Sequence, residues 1–273
     1  MQRDLRILLI GFGNMGRALA EGWLARGVAP SVVRVVDPQP AARQAAAAMG
    51  LAAHAEAPGP REPADVVVVA VKPPQVEEVL RRCRDLPAPS GRPVFLSIAA
   101  GKTLAHMLAA LGNDAAAVRA MPNTPAAVGK GMTVLTASPA VTAAQRDICT
   151  ELLAAVGTVD WVDDERLMDA VTAVSGSGPA YVFLLIESLE AAAADAGLSP
   201  ALARKLAVAT VAGAGAYAEA SGEPAATLRA RVTSPGGTTQ AALAVLMADD
   251  GLPELMKRAV RAAAARSREL AAE

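Results

Sequence analysis

The sequence predicts an α/β Rossmann-type domain followed by an all-α domain. Short aliphatic blocks alternate with helical stretches up to about residue 164, and a glycine-rich turn follows the first block. The strand pattern then disappears, and the rest of the chain carries only helical patterns. Such an alternation of strand-like blocks with helices is typical of a doubly wound sheet. We therefore place the first domain at residues 1–164 and the second at residues 165–273.

Four aliphatic runs without polar alternation open the first domain. Strands that are covered on both faces have this pattern, and parallel strands joined by helices need right-handed crossovers. A segment at 58–63, rich in proline, is expected to be a surface loop. The predicted strands span 5–10, 32–36, 66–71 and 94–98, extended by 118–121, 132–135 and 158–162. The predicted helices span 15–26, 40–49, 75–84, 103–111 and 142–155.

The second domain is predicted to consist of helices separated by glycine and proline. The expected helices span 165–174, 179–196, 200–220, 224–231, 238–249 and 253–271. Small residues at 207–216 permit very close helix packing, and so few aromatic side chains leave little material for a core. A helical domain of this kind gains stability from the surface of a second subunit. We expect a homodimer formed mainly through this domain.

Composition excludes several classes of function. The chain has 273 residues, is 53% hydrophobic and 19% charged, and has a net charge of -1. It therefore lacks the basic excess of nucleic-acid-binding proteins, and an aromatic content of 3% argues against base stacking. No uninterrupted apolar run reaches the ~20 residues of a membrane span, and no signal-peptide pattern precedes the first strand. Two distant cysteines and two histidines make no metal site, so we expect a cytoplasmic protein with free thiols.

A dinucleotide fingerprint, Gly11-Phe12-Gly13-Asn14-Met15-Gly16, follows the first strand directly and opens a helix. In this pattern the first glycine allows the tight turn, the second admits the pyrophosphate, and the third lets helix and strand pack closely. The required strand and helix context favours a coenzyme site over a purely structural glycine turn. NADH or NADPH is therefore the expected cofactor.

Asp37 ends the second strand at the position where an acidic residue binds the adenosine ribose. Its charge would repel a 2′-phosphate, which favours NADH over NADPH. Arg34 and Arg43 lie nearby in sequence and could offset that repulsion. Asp37-Pro38 is also a common way to open a turn, and that structural alternative stays open.

Two further motifs end strands at the edge where open α/β sheets bind ligands. In Ala70-Val71-Lys72-Pro73 the prolines direct the backbone and the ammonium towards the crevice, although a solvated strand end would carry a lysine too. Ser97-Ile-Ala99-Ala100-Gly101 has small side chains that leave room for a nicotinamide ring. A rigid polar loop, Arg119–Pro125, could line the same crevice.

A second glycine-rich helix start lies at Val232-Thr-Ser234-Pro-Gly-Gly237-Thr238-Thr239. Ser234 can act as the N-cap with Pro235 at the first helical position. Bare N–H groups and the positive end of the helix dipole favour a carboxylate or phosphate there. An ordinary capped helix with a flexible entry is the alternative.

Together with Ser175-Gly-Ser-Gly-Pro179-Ala-Tyr181, these motifs resemble those of pyrroline-5-carboxylate reductases, in order and over essentially the whole chain. The resemblance implies the last step of proline biosynthesis, in which a reduced nicotinamide passes hydride to the C=N carbon of 1-pyrroline-5-carboxylate. It also implies a dimer with interlocked helical domains, whose sites draw on both chains, and rings of such dimers.

The resemblance implies particular residue roles as well. Ser234 and the N–H groups of Gly237, Thr238 and Thr239 would hold the substrate carboxylate. The Thr239 hydroxyl would lie near the ring nitrogen and would position it first and donate a proton second, because it is a weak acid. Glu165 corresponds to a carboxylate near the substrate, or is simply a favourable charge at a helix start.

Pro179 resembles a residue that packs against the nicotinamide pocket, although Gly176–Pro179 could equally be a tight interdomain turn. The sequence departs from the family in two places. Many relatives carry a serine or arginine pattern after the second strand and prefer NADPH, whereas this chain has Asp37. An asparagine that often contacts the adenosine has no clear counterpart in residues 54–57.

Two other functions compete with this interpretation. A hydroxyacid reductase with the same two-domain plan needs a lysine base, but Lys205 is the only lysine between residues 131 and 256 and lies mid-helix. A dinucleotide sensor without activity would keep the first glycine motif yet have no reason to retain the second.

Overall fold

The computed structural model describes residues 5–56, 63–89 and 91–272. The chain forms two compact units, Met1–Gly176 with Ala264–Glu273, and Ser177–Ala263. The domain boundary predicted from the sequence, at residue 164, follows the last strand and stays a prediction. The two units divide about twelve residues further along the chain. The helical turns between these two positions pack with the sheet, and Met168 and Ala173 in them are fully buried. Most of the loop expected at 58–63 lies outside the described residues.

The first unit is built on a doubly wound sheet, as predicted. Its strand order is β3-β2-β1-β4-β5-β6-β7-β8, and every neighbouring pair is parallel except β6 and β7. The edge strand β3 is absent from the sequence prediction, because its Ala-Ala-His segment contains no aliphatic block. The strands are β1 (Ile7–Ile10), β2 (Val33–Val36), β3 (Ala52–His54), β4 (Val66–Val69), β5 (Val94–Ser97), β6 (Ala117–Met121), β7 (Gly131–Ala137) and β8 (Gly157–Trp161).

Every helix predicted from the sequence has a counterpart within a few residues. Those of the first part of the chain are α1 (Asn14–Ala25), α2 (Pro40–Ala48), α3 (Val76–Cys83), α4 (Leu104–Leu111), α5 (Ala143–Ala154) and the short α6 (Met168–Val171). A π-helical turn, Thr172–Gly176, follows α6. The remaining helices are α7 (Gly178–Asp195), α8 (Pro200–Ser221), α9 (Ala225–Arg231), α10 (Thr238–Leu246) and α11 (Leu252–Ala272).

Alternate residues of the central strands pack into two separate apolar clusters, one on each face of the sheet. Leu9 of β1 belongs to the cluster that contains Trp23 of α1 and Leu152 of α5. Leu8 belongs to the opposite cluster, with Leu80 of α3 and other side chains of α3 and α4. Burial on both faces explains why the strands are continuous aliphatic runs.

The second unit has little interior of its own. Among the described residues of 177–263, the buried hydrophobic side chains are those of Ala203 and Ala207. Large apolar side chains such as Phe183 and Val245 are 62% and 74% exposed. The helical run Glu165–Asp195 is long and apolar enough to cross a membrane by length and composition alone, and 6% of its 18-residue apolar window is buried. This run is not among the sequence predictions, which found no uninterrupted apolar stretch of ~20 residues.

Replacement of Trp23 by phenylalanine is expected to destabilise the first unit. The Trp23 Nε1–H donates to the Leu152 carbonyl at 2.8 Å, in the last turn of α5, where helix carbonyls lack donors within the helix. Trp23→Phe leaves that buried carbonyl unpaired and should lower the free energy of unfolding by about 1–3 kcal/mol. Denaturant unfolding measures the loss. Trp161→Phe, at a partly exposed tryptophan, is the control, and an equal loss in both variants would contradict the argument.

Candidate functional site

The turn between β1 and α1 can be formed only by glycine at two of its three glycine positions. Gly11 has φ +95°, and a Cβ there would overlap the carbonyl oxygen of Ala70 on the neighbouring strand. A Cβ on Gly16 would overlap the carbonyl oxygen of Gly11. Gly13 faces open space instead, and it is the N-cap of α1 without a side-chain cap. The first N–H groups of α1 therefore remain available to an anion that approaches across Gly13.

A cavity of about 350 Å³ lies beside this turn, at the carboxyl ends of β1, β2 and β4. Six of the predicted coenzyme residues line it, namely Gly11, Gly13, Asp37, Ala70, Val71 and Lys72. The other predicted coenzyme residues do not line the cavity. Four of them belong to the glycine turn and the start of α1, namely Phe12, Asn14, Met15 and Gly16, and four lie elsewhere in the chain, namely Pro73, Ala99, Ala100 and Pro179. The lining also includes residues that were not predicted from the sequence, among them Gln39, Gln75, Glu78, Arg82 and Cys83. Only the i,i+4 spacing of Glu78 and Arg82, which form an ion pair, marks two of these in advance.

Asp37 stabilises the glycine turn through hydrogen bonds to the backbone. Its Oδ2 accepts the N–H of Phe12 at 2.8 Å, and its Oδ1 accepts the N–H of Gln39 at 2.9 Å. The Arg43 guanidinium donates to the carbonyl oxygens of Asp37 and Pro38 at 2.9 and 2.7 Å. The structural and the ligand-binding interpretations of Asp37 are thus compatible, because each carboxylate oxygen can accept a further hydrogen bond.

Two other groups of the lining differ in their chemistry. Lys72 is exposed, and no described residue forms an ion pair with it, so its charge is available to an anionic ligand. Cys83 is buried, and that burial raises the pKa of its thiol to about 11. Cys83 is therefore a neutral thiol at physiological pH, and the cavity holds no thiolate nucleophile.

A partly buried ion pair joins the middle of β6 to the chain that follows β8. Arg119 Nη1 contacts Glu165 Oε1 at 2.9 Å, and their side chains are 5% and 28% exposed. The same oxygen accepts the N–H of Leu104, the first residue of α4, at 2.8 Å. Glu165 therefore lies near the start of a helix other than its own.

Asn123 links the π-helical turn to the sheet through two hydrogen bonds. Its Nδ2 donates to the Ser175 carbonyl at 3.0 Å, and its Oδ1 accepts the Met132 N–H of β7 at 2.8 Å. Gly176 packs so closely on Met121 that a Cβ would lie 2.5 Å from the Met121 Cε. The polar loop after β6 thus shapes the chain at residues 172–176.

The second glycine-rich start differs from the sequence prediction in one respect. Ser234 is not the N-cap and Pro235 is not in the helix, since α10 begins at Thr238 with Gly237 as its N-cap. Gly236, with φ +71°, turns the chain into the left-handed region and delays the helix. The Gln240 side chain accepts the Gly236 N–H at 2.6 Å.

The helix start remains bare even so. Gly237 provides no side-chain cap, which leaves the first-turn N–H groups, including those of Thr238 and Thr239, without helical acceptors. A Cβ on Gly237 would lie 2.5 Å from the Ser234 Oγ, so only glycine lets that hydroxyl lie against the turn. In the part of the chain that the structure describes, no group of three or more His, Cys, Asp or Glu side chains could hold a metal ion.

Comparisons with known proteins identify relatives of this chain. A family model described as pyrroline-5-carboxylate reductase dimerisation matches residues 165–270, and one described as NADP oxidoreductase coenzyme F420-dependent matches residues 6–101. The chain is 44% identical to the pyrroline-5-carboxylate reductase of Pseudomonas aeruginosa, over 97% of each sequence. It is 38% identical to that of Haemophilus influenzae, over 99% of this chain and 98% of the relative.

Solved structures give the same result. The pyrroline-5-carboxylate reductase from Coxiella burnetii superposes with a TM-score of 0.93 at 36% identity, over 98% of both chains. The Plasmodium falciparum pyrroline carboxylate reductase with NADP bound has a TM-score of 0.80 at 26% identity, over 99% of this chain and 100% of that one.

Two glycine variants should separate folding from coenzyme binding. Gly13→Ala places a methyl group where the turn is open, so it should change the free energy of unfolding by less than about 1 kcal/mol. It should weaken binding of NADH and NADPH at least about tenfold, through a clash with the pyrophosphate. Fluorescence titration and denaturant unfolding measure the two effects.

Gly11→Ala should instead cost more than about 2 kcal/mol of stability, from strain and overlap together. Gly27→Ala is the matched control, because Gly27 also has a positive φ of +83° but open space around it. It should lose some stability and keep its coenzyme affinity. If Gly13→Ala binds the coenzymes as tightly as the wild-type protein does, the pyrophosphate does not lie against Gly13.

Proposed function

Because this chain belongs to the pyrroline-5-carboxylate reductase family, we propose that it reduces 1-pyrroline-5-carboxylate to L-proline in the last step of proline biosynthesis. The reaction is an NAD(P)H-dependent reduction of a C=N bond. The observation that carries the proposal is the presence of two separate bare helix starts in a chain that matches these reductases along its whole length. One start suits a dinucleotide, and the other suits the carboxylate of a small imino acid.

The coenzyme supplies the hydride when it is bound, and the residues beside β1 and β4 fit it. The N–H groups that follow Gly13 suit the pyrophosphate, because a side chain neither caps nor covers them. Lys72 places a positive charge on the same cavity, and it has no ion-pair partner among the described residues. The small side chains of Ala99 and Ala100 leave space for the nicotinamide, and the family resemblance adds Pro73 and Pro179.

The negative charge of Asp37 favours NADH over NADPH as the coenzyme. Two backbone N–H groups hold this carboxylate in place at the end of β2, where the adenosine ribose of a Rossmann coenzyme lies. A fixed negative charge binds ribose hydroxyls well and repels a 2′-phosphate. Arg43, which donates to the Asp37 carbonyl, reduces that repulsion, so the preference for NADH is modest.

The substrate carboxylate is held at the start of α10. Ser234 contributes its hydroxyl, and Gly237, Thr238 and Thr239 contribute backbone N–H groups. The Thr239 hydroxyl orients the ring nitrogen. Because a threonine hydroxyl is a weak acid, most of the rate enhancement comes from orientation of an imine that is already protonated. Glu165 is the carboxylate that faces the substrate.

The functional protein is a homo-oligomer, consistent with the dimerisation family match. A dimer formed through the helical domain explains why side chains such as Phe183 and Leu184 are more than half exposed in one subunit. The partner subunit covers these side chains and the apolar run Glu165–Asp195. Larger rings of dimers and a location in the cytoplasm complete the proposal.

The activity itself is tested by mixing the protein with the imine and each reduced coenzyme. Oxidation of the coenzyme, followed by its near-ultraviolet absorbance, should depend on 1-pyrroline-5-carboxylate and yield L-proline. A short-chain β-hydroxyacid with NAD⁺ is the control substrate and should give no turnover. Absence of coenzyme oxidation with the imine would refute the proposed function.

Asp37→Asn should shift the coenzyme preference towards NADPH. The variant removes the charge and keeps an acceptor oxygen, so the ratio of kcat/KM for NADPH to that for NADH should rise by roughly tenfold, about 1.4 kcal/mol of repulsion. Asp65→Asn is the matched control, since Asp65 also accepts a backbone N–H but does not line the cavity. An unchanged ratio in Asp37→Asn would mean that this carboxylate does not face the ribose.

Thr239→Ala should lower kcat about 10- to 100-fold through lost orientation of the imine, with coenzyme affinity nearly unchanged. Thr238→Ala is the matched control, because only the backbone N–H of Thr238 is assigned to the carboxylate. Steady-state kinetics and coenzyme titration distinguish the two variants. Collapse of coenzyme binding in Thr239→Ala would show that this helix does not serve the substrate.

A further inference from the structure

Arg119 is a buried charge with a single acidic partner. It lies on β6 with 5% of its side chain exposed, and the one carboxylate that pairs with it among the described residues belongs to Glu165. A guanidinium cannot lose its charge, so burial of Arg119 requires a compensating anion. Glu165 therefore stabilises the buried Arg119 on β6, and Arg119 in turn holds the Glu165 carboxylate in position.

The two donors that hold Glu165 converge on one of its oxygens. Arg119 and the Leu104 N–H both contact Oε1, at 2.9 and 2.8 Å. Within the described chain, no hydrogen bond reaches Oε2, and 28% of the Glu165 side chain is exposed. One oxygen is thus fixed from the protein side, while the other remains open as an acceptor.

We propose that Arg119 is a positioning residue that acts through Glu165. It fixes the carboxylate so that the free Oε2 meets a cationic N–H group of the ligand, which for the proposed reaction is the protonated imine nitrogen. This inference rests on the proposed function. The pair turns a glutamate, whose side chain loses much rotamer freedom when it is ordered, into a preorganised acceptor before the substrate arrives.

A purely structural pair would give different kinetics. If Arg119 only stabilised β6, its replacement would lower stability and affect substrate and coenzyme alike. If it acts through Glu165, its replacement should weaken recognition of cationic ligands specifically. It should also have little further effect once the Glu165 charge has been removed.

The experiment is a double-mutant cycle with Arg119→Gln, Glu165→Gln and the double variant. Each single variant should lower kcat/KM for the imine at least about tenfold, as expected for loss of a charge-assisted hydrogen bond, while the KM of the coenzyme stays within about twofold. The double variant should lose little more than either single variant, because coupled residues are not additive. Arg119→Lys should recover part of the loss, since it restores the charge.

Two competitive inhibitors test the charge directly. L-Proline carries a cationic ring nitrogen, whereas tetrahydrofuran-2-carboxylate has the same ring size and carboxylate with a neutral ether oxygen. Both single variants should raise the inhibition constant of L-proline about tenfold and leave that of the ether within about twofold. Arg146→Gln is the matched control, because Arg146 stacks on Trp161 and pairs with exposed Asp163 instead.

The outcomes separate the two levels of inference. A wild-type protein that does not reduce the imine refutes the proposed function. A wild-type protein that is active, together with additive single effects or equal losses for both inhibitors, refutes the role of Arg119. Thermal unfolding of each variant, with coenzyme titration, identifies any variant that fails to fold, and Arg119→Lys then replaces Arg119→Gln in the cycle.

Discussion

The close approach of β1 and β4 at the glycine turn is the constraint on which the first unit depends. The Ala70 N–H donates to the Ile10 carbonyl at 2.7 Å, and the Gly11 N–H donates to the Val36 carbonyl at 2.8 Å, so three strands meet where the turn begins. No side chain fits at Gly11. The same geometry places Gly11 and Gly13 at the cavity beside the uncapped start of α1, and it places Asp37 where its carboxylate accepts the Phe12 N–H.

Much of this could be predicted from the sequence because strong local patterns agree with the fold. Aliphatic runs and glycine or proline boundaries locate the helices and most strands. Strand β3 was missed because an edge strand of Ala-Ala-His buries too little to carry a pattern. Ser234 was wrongly predicted as an N-cap, since capping rules do not reveal a positive φ at Gly236. The bond from Arg119 to Glu165 joins residues 46 positions apart, and no local signal encodes it.

The two units obtain stability in different ways. Large aliphatic and aromatic side chains are fully buried on both faces of the sheet, for example Trp23 on one face and Leu80 on the other. Within the described residues of 177–263, alanine supplies the buried hydrophobic side chains, and burial of a methyl group contributes far less than burial of a leucine. The helical unit therefore exposes much apolar surface, and a homo-oligomer that covers this surface would gain stability from assembly.

The residues proposed to bind the substrate suit a zwitterion better than a simple acid. The bare start of α10 suits an anion, whereas Glu165 offers a fixed carboxylate oxygen that suits a cation. A protonated cyclic imino acid carries both charges, and a hydroxyacid carries only the first. A carboxylate can accept a hydrogen bond from a protonated imine but cannot donate one to a neutral carbonyl oxygen. Under the proposed role of Glu165, selection of imines over hydroxyacids on a shared fold would depend on one glutamate and the arginine that holds it.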